Sequence, residues 1–274
     1  MDMNMFAMVS AFTFILVAVS LSLKEGLALE KEILVAALRA FGQLMFIGYI
    51  LQFIFDMESP FYIILMLAIM ILVAGHNAAK RGQGISGVFY IVTGSILAVE
   101  VIMILLLLLL QIADFTPQQI IPISGMIVGN AMVAAGLVLV RLQDELRDKR
   151  EEIVQTLALG ASARQAGKPI LKKVIKNGML PSIDAMKTIG LVQLPGMMTG
   201  AILAGANPVE AVQLQILIVF ILMATVSITT LSIGTLAYRR FFNSNHQLID
   251  NRHYPRQRPN ERDSRRFNNS RHPV

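Results

Sequence analysis

Apolar residues along this chain come in long unbroken runs separated by short polar connections. A helix needs roughly 20 mostly apolar residues to cross a bilayer, and runs of that kind recur from one end of the chain to the other. Met5 to Leu23 reads as a retained first helix, because Asp2 precedes it and the basic flank of a cleaved signal segment is missing. The second run spans about Ile33 to Phe55 and the third about Pro60 to Ala74. The fourth, Ile85 to Leu110, is long enough to tilt. The fifth is Ile121 to Val140, a weaker sixth is Ile189 to Ala206, interrupted by Pro195, and the seventh is Val209 to Tyr238. None shows the alternation of a barrel strand, so all are expected to be helices. The pattern predicts an all-α polytopic membrane protein with about seven transmembrane helices.

Between the fifth and sixth runs, Arg141 to Thr188 is too polar to span. It predicts an amphipathic helix pair around a turn. Glu151 and Glu152 suit a helix N-terminus. Ile153, Val154 and Leu157 form a narrow apolar stripe that Gly160 ends, and Ser162 can cap the next helix. There Ile170, Leu171, Val174 and Ile175 make one stripe, and Lys168, Lys172 and Lys176 another face. Gly178 is expected to end that helix and Pro181 to restart the chain. The pair would either lie on anionic lipid or dock a cytoplasmic partner. The domain reading is a transmembrane domain over 1–248, with a cytoplasmic segment at 143–188, and a basic tail over 249–274 whose Arg, Asn and Pro content predicts disorder.

Of the 274 residues 55% are hydrophobic and 15% charged, against about 25% charged in soluble domains, which argues against a water-soluble enzyme. The net charge of +6 fits basic loops facing an anionic inner leaflet better than nucleic-acid binding. Lys24, Lys31, Lys80, Arg81, the 141–188 segment and the tail fall on one side of the seven-span scheme. Asp2, Asp56, Glu58, Asp114 and the Gly205–Pro208 turn fall on the other, with no Lys or Arg. Arg39 sits near the basic end of its span, where it can snorkel. This segregation predicts an inner (plasma) membrane protein with its N-terminus outside and its C-terminus cytoplasmic. Cysteine is absent, which excludes disulfides and thiolate sites.

The chain has no phosphate-binding loop: Gly167-Lys168 is followed by Pro169. Paired-histidine and nucleophile motifs are missing as well, so no catalytic residue, enzyme activity or bound cofactor is expected, and nucleotide energy would come from another chain. Gly125 and Gly129 are spaced for close helix packing, as are Gly196 and Gly200. Pro195 should break the sixth run, and freed backbone at membrane depth is tolerated where it is buried in protein or lines a watery cavity. A translocation path is therefore expected near 190–205, with Gln193, Met197 and Met198 on it and Asn130 as a polar neighbour. Glu100, the one acid deep inside a span, is either a functional group or a carboxyl bonded to a neighbouring helix. The 16 methionines are read as membrane-core filler rather than as Cu(I) ligands.

Several strings resemble one family. They are Ile121-Pro-Ile-Ser-Gly-Met-Ile-Val-Gly-Asn-Ala-Met132, Leu157-Ala-Leu-Gly-Ala-Ser162, Gly190-Leu-Val-Gln-Leu-Pro-Gly-Met-Met-Thr-Gly200 and Ala204-Gly-Ala-Asn-Pro208. They are similar to the FetB (YbbM) family, permease subunits of ABC transporters associated with iron export; the likeness runs from the first span to about Leu248. It implies a separate cytoplasmic ABC ATPase that holds ATP and binds the 143–188 segment through Ile153, Val154, Leu157, Gly160 and Ser162. It also implies a permease homodimer with two ATPases. The Leu-Gly-Ala-Ser turn is similar to the coupling loop of ABC importers, except that Val154 stands where a Glu would fall. Iron prefers oxygen ligands, and only Glu100, Asn130, Gln193, backbone carbonyls, Gln213 and Gln215 could offer them, so a metal chelate or organic solute stays open as cargo. The alternative class is a secondary transporter or channel for a small organic solute that works without an ATPase.

Overall fold

The computed structural model describes residues 10, 12–57, 59–243 and 247–249; the start of the first expected span and nearly all of the expected tail lie outside them. Among these residues there are nine α-helices and no strand. They are α1 (Phe12–Glu25), α2 (Glu30–Met57), α3 (Pro60–Ala79), α4 (Val88–Leu109), α5 (Pro117–Asp148), α6 (Arg150–Ala158), α7 (Ala163–Thr188), α8 (Gly196–Leu203) and α9 (Pro208–Arg239). A 3₁₀ turn, Lys80–Gly82, follows α3. Five of the helices are long and apolar enough to cross a membrane: α2, α3 with its 3₁₀ turn, α4, α5 and α9. The sixth expected span is not one continuous helix: only the eight residues of α8 are helical there.

The chain divides into two compact units, Met1–Tyr62 and Ile63–Val274. In the first, α1 packs on α2, with Phe12 and Phe41 rings 5.6 Å apart. The turn between them is fixed by Ser22, whose hydroxyl donates to Glu30 Oε1 (3.1 Å) and accepts from the Leu29 amide (3.2 Å).

In the second unit α5 and α9 are the central pair, and α4 and α7 pack on both. The core holds Val92, Ile96, Ala131, Ala135, Val138, Leu139, Leu142, Val174, Ile233 and Ala237. Small residues and Val alternate with Leu and Ile, which lets the helices approach closely. Leu142 and Leu146 of α5 lie beyond the expected fifth span and are buried, so this helix runs past the apolar stretch and carries α6 and α7 on its extension.

The amphipathic pair differs from expectation in two ways. Ser162 does cap α7, in a reciprocal box with Gln165. But α7 does not end at Gly178; it runs through Gly178 and Pro181 to Thr188. Nor does it offer a free apolar face to lipid: Ile170 and Val174 are buried against α5 and α9.

Candidate translocation site

Tight contacts at glycines set the heights of the helices relative to one another. A Cβ at Gly82 would stand 2.8 Å from Val88 and 3.0 Å from Leu139 side-chain carbons, and one at Gly136 would stand 2.7 Å from Arg81. The basic α3–α4 turn is therefore level with residues 136–139 of α5. A Cβ at Gly178 would meet Val138 at 2.8 Å and Thr230 at 3.0 Å, which puts Gly178 and Thr230 at the same level.

Further contacts give direction. Tyr238 donates to the Ala163 carbonyl (2.6 Å) and fills the space beside Gly167. Gly234 faces Leu171 and Ile175. Lys173 pairs with Glu145 at 2.6 Å. Numbers rise along α7 as they fall along α5 and α9, so α7 is antiparallel to both. Its first half lies along the extensions of α5 and α9, beyond the level of Arg81. Its second half, from Met179 to Thr188, runs the other way, alongside the apolar parts of the bundle.

At about 1.5 Å per residue, Thr188 is about 15 Å past Gly178, which is half the thickness of a hydrocarbon core of about 30 Å. There the helix stops. Ile189 is extended (ψ 137°) and Gly190 has φ +83°. The Thr188 carbonyl accepts from Val192 (2.9 Å) and the Gly190 amide donates to the Gln193 carbonyl (2.9 Å). Pro195 is extended and begins α8, where Thr199 Oγ1 donates back to its carbonyl (3.1 Å). The eight residues of α8 cover about 12 Å. The second half of α7 and α8 are thus two short helical stretches, about 15 and 12 Å long, joined by the break rather than by one continuous apolar helix.

Around this break the predicted residues divide. Gln193 and Pro195 lie in the break, Met197 is exposed, and Met198 is buried. Gly196 and Gly200 have no atom of another element among the described residues within 4 Å of a built Cβ, so that face is open there. Gly129 is equally open, and Gly125 meets only Met70 at 3.5 Å. Asn130 is half-buried and donates to its own helix at the Met126 carbonyl (2.8 Å), an engagement that its spacing alone did not reveal. Asp184 and Lys187 pair at 2.9 Å on the exposed face of α7.

Glu100 is elsewhere, enclosed at 2% exposure. The Ser124 hydroxyl lies beside its carboxyl, and that hydroxyl and both carboxylate oxygens are fully enclosed. Glu100 is thus a core group of α4, whereas Gln193 and its neighbours are exposed in the described chain.

At the opposite, basic end, the stripe of α6 is partly used internally. Ile153 is buried and Leu157 packs against the core. The exposed apolar groups there are Val154 and, at the tip, Leu159, which is 90% exposed next to Gly160 at φ +91°. Leu159 was absent from the expected docking set because it falls off the stripe.

Known proteins are similar to this chain over most of its length. The profile of the Uncharacterised protein family (UPF0014) matches residues 5–242. The UPF0014 membrane protein YjkA of Bacillus subtilis is 42% identical, covering 87% of this chain and 95% of its own. The "Probable iron export permease protein FetB" of Escherichia coli is 40% identical, covering 87% and 92%. The protein ALUMINUM SENSITIVE 3 of Arabidopsis thaliana is 39% identical, covering 87% and 88%. No solved structure matches.

Proposed function

This chain belongs to the uncharacterised protein family UPF0014, a multi-pass membrane protein by its helices, and we propose that it is the permease subunit of an ATP-driven transporter that exports a metal, free or chelated. A separate cytoplasmic ATPase binds ATP and docks on the loop between α6 and α7. The basic end of the bundle faces the cytoplasm by the positive-inside rule, in the inner membrane. The cargo passes the break at 189–195, where backbone at mid-depth needs a protein or aqueous neighbour.

The observation that carries this reading is the mounting of the α6–α7 loop. Its tip, Leu159-Gly160, is exposed, while its two roots are fixed: Ile153 in the core, and α7 to α9 by the bond from Tyr238 to Ala163. A push on the tip reaches α7, and α7 leads directly to the break. The FetB relative carries iron export in its name, which supports the cargo class, and a homodimer would supply the neighbour that the open face of α8 lacks.

The test is reconstitution of this chain with an ABC ATPase encoded beside it. ATP-dependent metal movement is expected, and Leu159→Asp should abolish co-purification of the ATPase while leaving insertion and folding intact. Transport that proceeds equally without the ATPase would replace this reading by a secondary transporter or channel for a small solute.

A further inference from the structure

The outward face of α7 carries a row of charge that the fold leaves unused. Residues 153–183 contain Arg164, Lys168, Lys172, Lys173 and Lys176 and no Asp or Glu. Lys173 is held by Glu145, as Lys149 is by Glu152 and Lys187 by Asp184. Lys168, Lys172 and Lys176 are exposed and take no ion pair among the described residues. They recur every fourth residue, so they lie in one row. The buried stripe of Ala163, Gly167, Ile170, Val174 and Gly178 is on the other side of the helix. Like charges at this spacing repel one another, and no described carboxylate offsets them.

The row ends at a defined level. Lys176 is about 3 Å along the helix from Gly178, which is level with Val138 and Thr230. There the apolar run of α5 stops at Val140, and Arg141 follows. On the other side of that level the same face of α7 continues as Met179, Leu180 and Ile183. Leu180 is exposed and the other two are partly exposed. One face therefore changes from free cations to apolar side chains where the apolar run of its neighbour ends.

A phospholipid has the same order, with a phosphate at the end of its hydrocarbon. Lysine suits it, because the stem lies along apolar surface while the ammonium reaches the phosphate. The lack of any acid in the row selects by charge: a zwitterionic headgroup would turn its own cation on these lysines, and an anionic one would not. An acidic protein surface would match the lysines but not Met179, Leu180 and Ile183. The loop tip at Leu159-Gly160 is also remote, since Lys176 is about 20 Å along α7 from Ala163.

We propose that the outward face of α7 binds an anionic phospholipid, with Lys172 and Lys176 on the headgroup phosphate and Met179, Leu180 and Ile183 along an acyl chain. The site stands independently of the ATPase reading, because it concerns this chain alone.

The experiment uses the purified full chain in detergent without ATPase, titrated with phosphatidylglycerol or phosphatidylcholine of identical acyl chains. Bound lipid is counted by native mass spectrometry, and the melting temperature is followed. Phosphatidylglycerol should bind about tenfold or more tightly than phosphatidylcholine and raise the melting temperature. Lys172→Gln and Lys176→Gln should each weaken phosphatidylglycerol binding about fivefold, the worth of one lysine at an anionic surface. Lys172→Glu combined with Lys176→Glu should erase the preference. Leu180→Asn, which keeps the charges, should weaken both lipids. Lys149→Gln makes the same change in net charge at a lysine already paired with Glu152, and should alter nothing. Inorganic phosphate in excess should not displace the lipid. Where the double variant does not fold, the two Gln variants carry the test. Equal binding of the two lipids, wild-type affinities in the folded variants, or displacement by inorganic phosphate would each overturn the proposal. A double variant that keeps its lipid preference but no longer recovers the ATPase would assign the row to a protein and overturn it as well.

Discussion

At the scale of single residues, glycine does its work here through size rather than backbone freedom. Gly178 takes no left-handed φ; it lies inside α7 with Val138 and Thr230 on it. Both neighbours are β-branched and stiff at χ1, so an added methyl has nowhere to go. Gly178→Ala should cost about 1–3 kcal/mol by overpacking. Tyr238→Phe removes the buried 2.6 Å bond to Ala163 and should cost about 1–2 kcal/mol. Gly200→Ala, with no atom within 4 Å, should leave the monomer unharmed. Thermal unfolding of the purified variants checks all three, and a Gly178→Ala protein as stable as wild type would refute the antiparallel packing of α7. The motif spacing of Gly125, Gly129, Gly196 and Gly200 did not find these sites, because each tight contact is a single glycine facing side chains of other elements, not a pair of glycines at helical spacing.

At the scale of elements, the continuous spans were legible because lipid imposes both length and apolarity. Glu30–Met57, Pro60–Gly82, Val88–Leu109, Pro117–Asp148 and Pro208–Arg239 each coincide with an apolar run, the third and fifth expected runs continuing as helix past their apolar ends. The second half of α7 was not legible. Its Asp184, Lys187 and Pro181 read as a soluble loop, and Gly178 as a helix end, because hydropathy scores lipid contact and this segment has protein on one side. Pro181 lacks the amide that would bond the Asn177 carbonyl, yet tertiary contact of the preceding turns carries the helix on. The cysteine-free chain makes the consequence measurable. Single cysteines at Asp184, Gln193 and Met197 should react with a small hydrophilic thiol reagent, and at different rates with ATP and partner present. A cysteine at Leu109, 76% exposed at the far end of α4, serves as the lipid-facing control and should stay inert. The Asn130 position should react weakly, being half-buried and engaged with its own helix. Uniform inertness at 184, 193 and 197 would mean that the broken crossing is packed shut and carries nothing.

At the scale of the whole molecule, the face around α8 is open among the described residues. Leu191, Val192 and Leu203 are 91%, 83% and 78% exposed, which in lipid is unremarkable for apolar groups alone. The open glycines beside them are different, because Gly196 and Gly200 expose helical backbone. Without a hydrophobic drive between helices in lipid, small residues favour association by letting backbones approach. In the proposed homodimer a second copy presenting the same face would complete the break and α8 by two-fold symmetry. It would also bring two breaks, and two Asp184–Lys187 pairs, to a common interface where such groups are tolerated. Cysteines at Val192 or Leu203 should then form a disulfide between copies in native membranes under mild oxidant, while one at Leu109 should not. Gly200→Leu should abolish the cross-link and transport together, and Gly200→Ala should weaken the cross-link without lowering monomer stability. Cross-linking at Leu109 but at neither Val192 nor Leu203 would place the partner copy on another face and leave the α8 glycines lining the path instead.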